Sequence, residues 1–185
     1  MQKINDFGEK IGGAKKDLWK ERNMIFEDTI ENNIKFGKQN ASHEEVVQAA
    51  KKARCHEFIE ALPEGYDTII GEGGASLSGG EKQRISIARA MLKDADIIIF
   101  DEATASIDPE NEDKLKEAIE SLTKNKTVIM IAHRLKTIRN ADQILVLKDG
   151  EIVERGNHKE LIKNDGLYSD LVNAKAKAES WKLNN

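Results

Sequence analysis

From Met24 onward, apolar and polar positions fall into blocks that switch between helical and strand periods. Ser42 followed by Glu45 predicts a capping box, opening a helix that carries Val46, Val47, Ala50, Phe58, Ile59 and Leu62. Leu62-Pro63-Glu64-Gly65 closes that helix. Ser78 opens another, with Ile85, Ala88, Met91 and Leu92 on its apolar stripe. Ile97–Phe100 is an uninterrupted apolar run, which suits a strand buried on both faces. Asp108 and Pro109 read as N-cap and first-turn proline of a helix carrying Leu115, Ala118, Ile119 and Leu122. Thr127–Ala132 predicts a second buried strand. Ile144–Leu147, the turn Asp149-Gly150 and Ile152–Val153 predict a hairpin, and helices around Lys159–Lys163 and Leu167–Lys177 follow. Apolar strands alternating with amphipathic helices mean an α/β layer structure with a mainly parallel sheet.

Residues 1–22 break this pattern. They hold Gly8, Gly12, Gly13 and scattered charges but few core formers. They read as a poorly ordered or foreign leader, with a short helix as the alternative. They contain no apolar core of a secretory signal.

Composition narrows the class. Of 185 residues, 39% are hydrophobic and 34% charged, which fits a soluble globular chain with a heavily charged surface. The net charge of −4 argues against binding nucleic acid through bulk electrostatics. The single Cys55 excludes an internal disulfide and fits a reducing compartment. No apolar run approaches the roughly 20 residues that cross a bilayer. The expectation is a cytoplasmic protein, held at the inner face of a membrane only through a partner that spans it.

Three segments carry candidate chemistry. In Leu77-Ser78-Gly79-Gly80-Glu81-Lys82-Gln83-Arg84, two glycines at a helix start leave backbone N–H groups bare. The helix dipole and the Ser78 hydroxyl add to them, which makes an anion site suited to a terminal phosphate. The plainer alternative is an ordinary capping box, because Ser78 and Glu81 have that spacing. Next, Asp101 and Glu102 follow the apolar run, where α/β sheets bind ligands. Asp101 can hold Mg²⁺, directly or through water, and Glu102 can orient and activate an attacking water. The alternative is a pair of solvated charges opening a loop. Last, His133 at the end of the second strand can reach the same phosphate or serve a structural role.

Together these segments resemble the ATPase domain of ABC transporters. Leu77–Arg84 is similar to the signature motif, and Ile97–Glu102 to Walker B with its catalytic glutamate. Ser106-Ile107-Asp108 resembles the D-loop, and Ala132-His133-Arg134 the switch-histidine motif. The exporter subgroup is matched at Phe26–Ile30 with Asn33-Ile34, at Leu62–Asp67, at Gly71–Gly74 and at Gly150–His158. The likeness runs from about Met24 to the C-terminus.

The resemblance implies a P-loop NTPase-like layer fold with a helical signature subdomain at about 40–95 and a Walker B, D-loop and switch core at about 96–185. It implies ATP and Mg²⁺ as cofactors, with Asp101 as metal ligand and Glu102 and His133 as catalytic residues. It also implies a head-to-tail pair with another ABC ATPase subunit. There Ser78, Gly79, Gly80 and Gln83 face the partner's nucleotide, and Asp108 lies at the interface. Separate transmembrane domains would be touched through Gly71–Gly74, and no nucleic acid is involved.

One family element has no counterpart. No G-x-x-x-x-G-K-[ST] occurs, and Gly12-Gly13-Ala14-Lys15-Lys16 lacks both its spacing and its hydroxyl residue. The adenine-stacking aromatic is absent, and the place of the Q-loop glutamine falls on Glu21. The first strand and phosphate loop of the domain are therefore missing from these residues. Each lost charge-assisted contact is worth about 1.5–3 kcal/mol, so the chain alone should bind ATP weakly or not at all. Losing an interior strand should also expose apolar edges. Three expectations follow: an exporter ATPase portion inactive on its own, a partner that donates its signature motif to an intact subunit, or a remnant without function.

Overall fold

The computed structural model describes residues 18–21, 24–101, 109–131 and 138–174, with the backbone alone for 18–21, 101 and 109–112. The chain divides into two compact units, one up to Ile131 and one from Ala132.

The first unit is built on a three-stranded parallel sheet. β1 (Leu18–Glu21) and β5 (Thr127–Ile131) flank β4 (Ile97–Asp101). Leu18 pairs with Ile97 and Glu21 with Phe100 on one side, and Ile97 pairs with Thr127 and Asp101 with Ile131 on the other. Ile97–Phe100 are buried, as an apolar central strand requires. β1 lies within the stretch that reads as a leader. Nothing local in Leu18-Trp19-Lys20-Glu21 specifies a strand, and the neighbouring ladder of β4 supplies the hydrogen bonds that do.

Parallel strands need a long crossover, and the whole helical part of the unit forms it. β2 (Asp28–Thr29) pairs antiparallel with β3 (Ile69–Ile70). Between them stand α1 (Ile30–Lys35), α2 (His43–Lys52), α3 (His56–Glu60) and a 3-10 turn at Gly65–Asp67. α4 (Gly79–Lys93) then leads into β4, and α5 (Pro109–Thr123) joins β4 to β5. One continuous core runs through Ile34, Val46, Ile59, Ile85, Phe100 and Leu122.

Three sequence expectations are corrected here. The helix expected from Ser42 to Leu62 is two helices. α2 ends in a Schellman motif, with Cys55 N–H donating to Ala50 O at 2.9 Å and Arg54 N–H to Lys51 O at 3.1 Å. Arg54 takes the left-handed position (φ 56°) that glycine usually marks, so no glycine announces the break. Second, α4 carries more than one apolar stripe. Residues 83–90 are all buried, including Gln83, Arg84, Ser86 and Arg89, because α1 and α2 cover one side and β1 and α5 the other. Third, β5 is not a buried strand. Val128, Met130 and Ile131 are exposed, because among the described residues no strand lies beyond β5.

Buried polar groups on α4 tie the crossover together. Arg89 donates to the carbonyl of Met24 at 2.9 Å, and its guanidinium lies over the rings of Phe26 and Phe36. Asn33, also buried, donates through Nδ2 to Phe26 O and Thr29 O at 3.0 Å and accepts from Phe26 N–H at 2.9 Å. Arg84 lies 5.4 Å from the Phe58 ring, which docks α3.

The second unit pairs β6 (Ile144–Lys148) with β7 (Glu151–Gly156) antiparallel through Asp149 and Gly150, both at positive φ. α6 (His158–Leu161) opens on a capping box between Asn157 and Glu160. Residues 167–174 are helical. Ile144, Val146, Leu161 and Tyr168 form a small core, and Tyr168 OH lies 2.8 Å from His158 Nδ1.

Candidate functional site: a glycine-opened helix and an acid-ended strand

The capping-box alternative at Ser78 is present in the structure. Ser78 Oγ accepts from Glu81 N–H at 3.3 Å, and Ser78 N–H donates to the Glu81 carboxylate at 2.8 Å, which is a complete capping box. The first helical bond runs from Lys82 N–H to Ser78 O at 3.0 Å. The amides of Gly79 and Gly80 therefore have no carbonyl one turn back within the helix. Ser78 and Gly79 are exposed, whereas Gly80 is buried and Gln83 is only 5% exposed, one turn inside the helix. A Cβ placed on Gly79 would meet no atom within 4 Å. A phosphate fits here. The approach is open, two N–H groups lie at the positive end of a 15-residue helix, and the protein itself supplies no competing atom over Gly79.

The second element is the C-terminal edge of the sheet. β1, β4 and β5 all end there, at Glu21, Asp101 and Ile131. Glu102 and His133 follow in sequence and, with Asp108, lie outside the described residues. Among the described residues no group of three or more His, Cys, Asp or Glu is placed to hold a metal ion. Acids thus stand at two of the three strand ends, Glu21 and Asp101.

Gly71–Gly74 is held tightly. Gly71 has φ 124°, and a Cβ on it would come within 2.8 Å of Glu27 Cα; one on Gly73 would come within 2.5 Å of Glu27 Oε1. The loop thus lies directly on Glu27. Arg89, which with Asn33 holds Met24–Thr29 in place, escaped the sequence reading, and Asn33 entered it only in the match with Ile34, not as a buried anchor. A buried asparagine in a six-residue helix carries no periodic signal, and Arg89 looks like an ordinary helix residue.

A parallel sheet with acids at two strand ends, reached through a helical crossover whose last helix opens on glycines, is of the P-loop NTPase-like fold. A sequence model of the ABC transporter family matches residues 2–105, more than half of the chain and inclusive of most of the stretch that reads as a leader. The chain belongs to the ABC transporter family.

It is 56% identical over 151 residues to the ATP-dependent lipid A-core flippase of Syntrophus aciditrophicus, which covers 82% of this chain and 25% of the flippase. It is 51% identical over 150 residues to the Beta-(1-->2)glucan export ATP-binding/permease protein NdvA of Brucella melitensis, covering 81% of this chain and 25% of that protein. The solved structure of a bacterial Atm1-family ABC exporter with ATP bound superposes with a TM-score of 0.76 at 44% identity, over 86% of this chain and 28% of that one. The chain thus spans about a quarter of the length of the relatives it matches. Among the described residues no helix is long and apolar enough to cross a membrane.

Proposed function

We propose that this chain is the signature- and Walker B-bearing portion of an ATPase that powers an ABC exporter, and that it acts on ATP only in company. Ser78, Gly79 and Gly80 face the terminal phosphate of a nucleotide held by a second ABC ATPase subunit in a head-to-tail pair, with Gln83 supporting that turn from within. Asp101, Glu102 and His133 belong to the chain's own site as metal ligand, water-orienting base and phosphate contact, and Asp108 stands at the pair's interface. The Gly71–Gly74 loop, resting on Glu27, meets the transmembrane domains at the cytoplasmic face. Mg²⁺ bound with ATP would neutralise charge on the phosphates. Residues 1–22 remain outside this division of labour, and the helical part at about 40–95 and the core at about 96–185 share it.

The supporting observation is the open space over Gly79 at the tip of a helix that is buried throughout Gln83–Ala90. A helix made only for packing has no need of two glycines and a bare first turn there. The test is a mixed complex with the intact Syntrophus aciditrophicus flippase. ATPase activity of the mixture is expected to be abolished by Ser78→Arg in this chain and little changed by Glu102→Gln. If neither substitution matters, the reading is lost. Magnesium-dependent turnover by the chain alone, removed by Glu102→Gln, would equally overturn it.

A further inference from the structure

We propose that Arg54 and Glu57, at the corner between α2 and α3, and Lys114 and Glu117, on α5, are the two halves of a salt-operated charge clasp: Arg54 already holds Glu117, and Glu57 and Lys114 close on each other as its second rung.

These four side chains line one cavity of about 390 Å³. α2 and α5 both pack on α4, and the cavity lies between the α2–α3 corner and α5. Each wall carries one cation and one anion, so the walls are complementary. One bond already crosses the gap, from Arg54 Nε to Glu117 Oε2 at 2.7 Å. That bond decides what the other two groups can do. Lys114 and Glu117 are three apart on one helix, a spacing at which opposite charges ordinarily pair. Here the Glu117 carboxylate is given to Arg54 instead. Arg54 is also the cation nearest to Glu57 in sequence, and it is committed by the same bond. Among the described residues neither Glu57 nor Lys114 has an ion-pair partner. Each has lost its neighbour on its own wall, and each faces the other's charge across the cavity.

The backbone at Arg54 supports a role beyond stability. Its φ of 56° is the left-handed setting that glycine takes most easily at the end of a helix. Strain held by a residue of the wrong type points to what its side chain does. Both partners of the Arg54–Glu117 pair are half-exposed, so the bond adds little to folding stability. What it does is join two parts of the first unit. One is the crossover, whose last helix opens at Ser78, and the other is the helix that begins at Pro109. Glu57 and Lys114 are exposed as well, so both rungs answer to ionic strength. The screening length shrinks from about 30 Å at 0.01 M salt to about 3 Å at 1 M, which closes the clasp in dilute salt and opens it in concentrated salt.

The test is zero-length carbodiimide coupling of the full chain in dilute solution, with linked peptides from the monomer band identified by mass spectrometry. Glu57 and Lys114 are expected to couple at about 0.01 M salt, with a yield several-fold lower at about 1 M. Arg54→Gln frees Glu117 to take Lys114. The Glu57–Lys114 product should then fall several-fold while a Lys114–Glu117 product rises. Glu57→Lys combined with Lys114→Glu should restore coupling between the same two positions with the charges exchanged. All of these positions are exposed, so the variants should keep the helical circular dichroism of the parent chain. Absence of the Glu57–Lys114 product in the parent chain overturns the proposal. So does a yield indifferent to salt or to Arg54→Gln. Ser78→Arg should leave the coupling unchanged, so the clasp and the signature reading fail separately.

Discussion

Arg89 donates through Nε to the main-chain carbonyl of Asn33 at 2.8 Å and through Nη2 to that residue's side-chain Oδ1 at 3.3 Å. The two residues are 56 positions apart, and through them α1, α4 and the chain entry at Met24–Thr29 become one rigid piece. Arg89→Ala would leave buried acceptors without their donor. The expected loss is about 2–4 kcal/mol in urea unfolding. Arg89→Lys should recover little, because a point charge cannot bridge Met24 O, Asn33 O and Asn33 Oδ1 together. A double-mutant cycle with Asn33→Ala should show strong coupling.

Two glycines separate stability from function. At Gly37 an added Cβ would come within 2.2 Å of Arg89 O, a backbone atom that cannot swing away. Gly37→Ala is expected to cost about 1–3 kcal/mol as overpacking. At Gly79 the same methyl meets nothing. Gly79→Ala should leave the urea midpoint unchanged or slightly raised, and Gly79→Asp should block activity of the mixed complex without unfolding the chain. Equal destabilisation by both alanines would contradict the packing described.

Arg54 offers a test of opposite signs. Its ion pair with Glu117 is half-exposed on both sides and worth at most about 1 kcal/mol. Its left-handed backbone costs an L-residue about 1–2 kcal/mol. Arg54→Gly should therefore stabilise slightly, whereas Arg54→Ala should destabilise slightly, losing the pair and keeping the strain. Thermal melts of the two variants side by side decide it.

Cys55 is fully buried, and burial pushes its thiol up to about 12. In the unfolded chain the thiol ionises near pH ~8.5. The raised native value favours the protonated form, so this stabilisation is complete below about pH 8.5 and drains away as pH climbs toward 12. Tyr66, also pushed up by burial, adds to the loss above about pH 10. Urea midpoints should fall between about pH 8 and 10.5, less steeply in Cys55→Ala. The native thiol should react with a disulfide reagent only at the rate of local or global opening.

Much of the fold was legible residue by residue. The buried central strand, the capping boxes at Ser42 and Ser78, the proline start at Pro109 and the Asp149-Gly150 hairpin each follow from local rules, and the structure has them all. The break at Arg54 was not legible, because the left-handed residue there is an arginine and the bonds that stabilise it are main-chain bonds. Nor was β1, whose four residues become a strand only beside β4. Of the candidate site, the exposed tip at Ser78–Gly79 agrees with its glycines, while the depth of Gly80 and Gln83 depends on how many elements surround α4.

By itself the sequence determined the kind of protein, because motifs are chemistry at fixed short spacings: glycines where amides must be bare, acids where a strand must end, and no lysine-bearing loop to cradle phosphates. Only the tertiary structure decided which surfaces are used up and which are left over. Burial of a helix on all sides, the pairing of Leu18–Glu21 and the bareness of β5 all depend on neighbours far away in sequence, and short-range patterns carry no record of a neighbour's presence or absence.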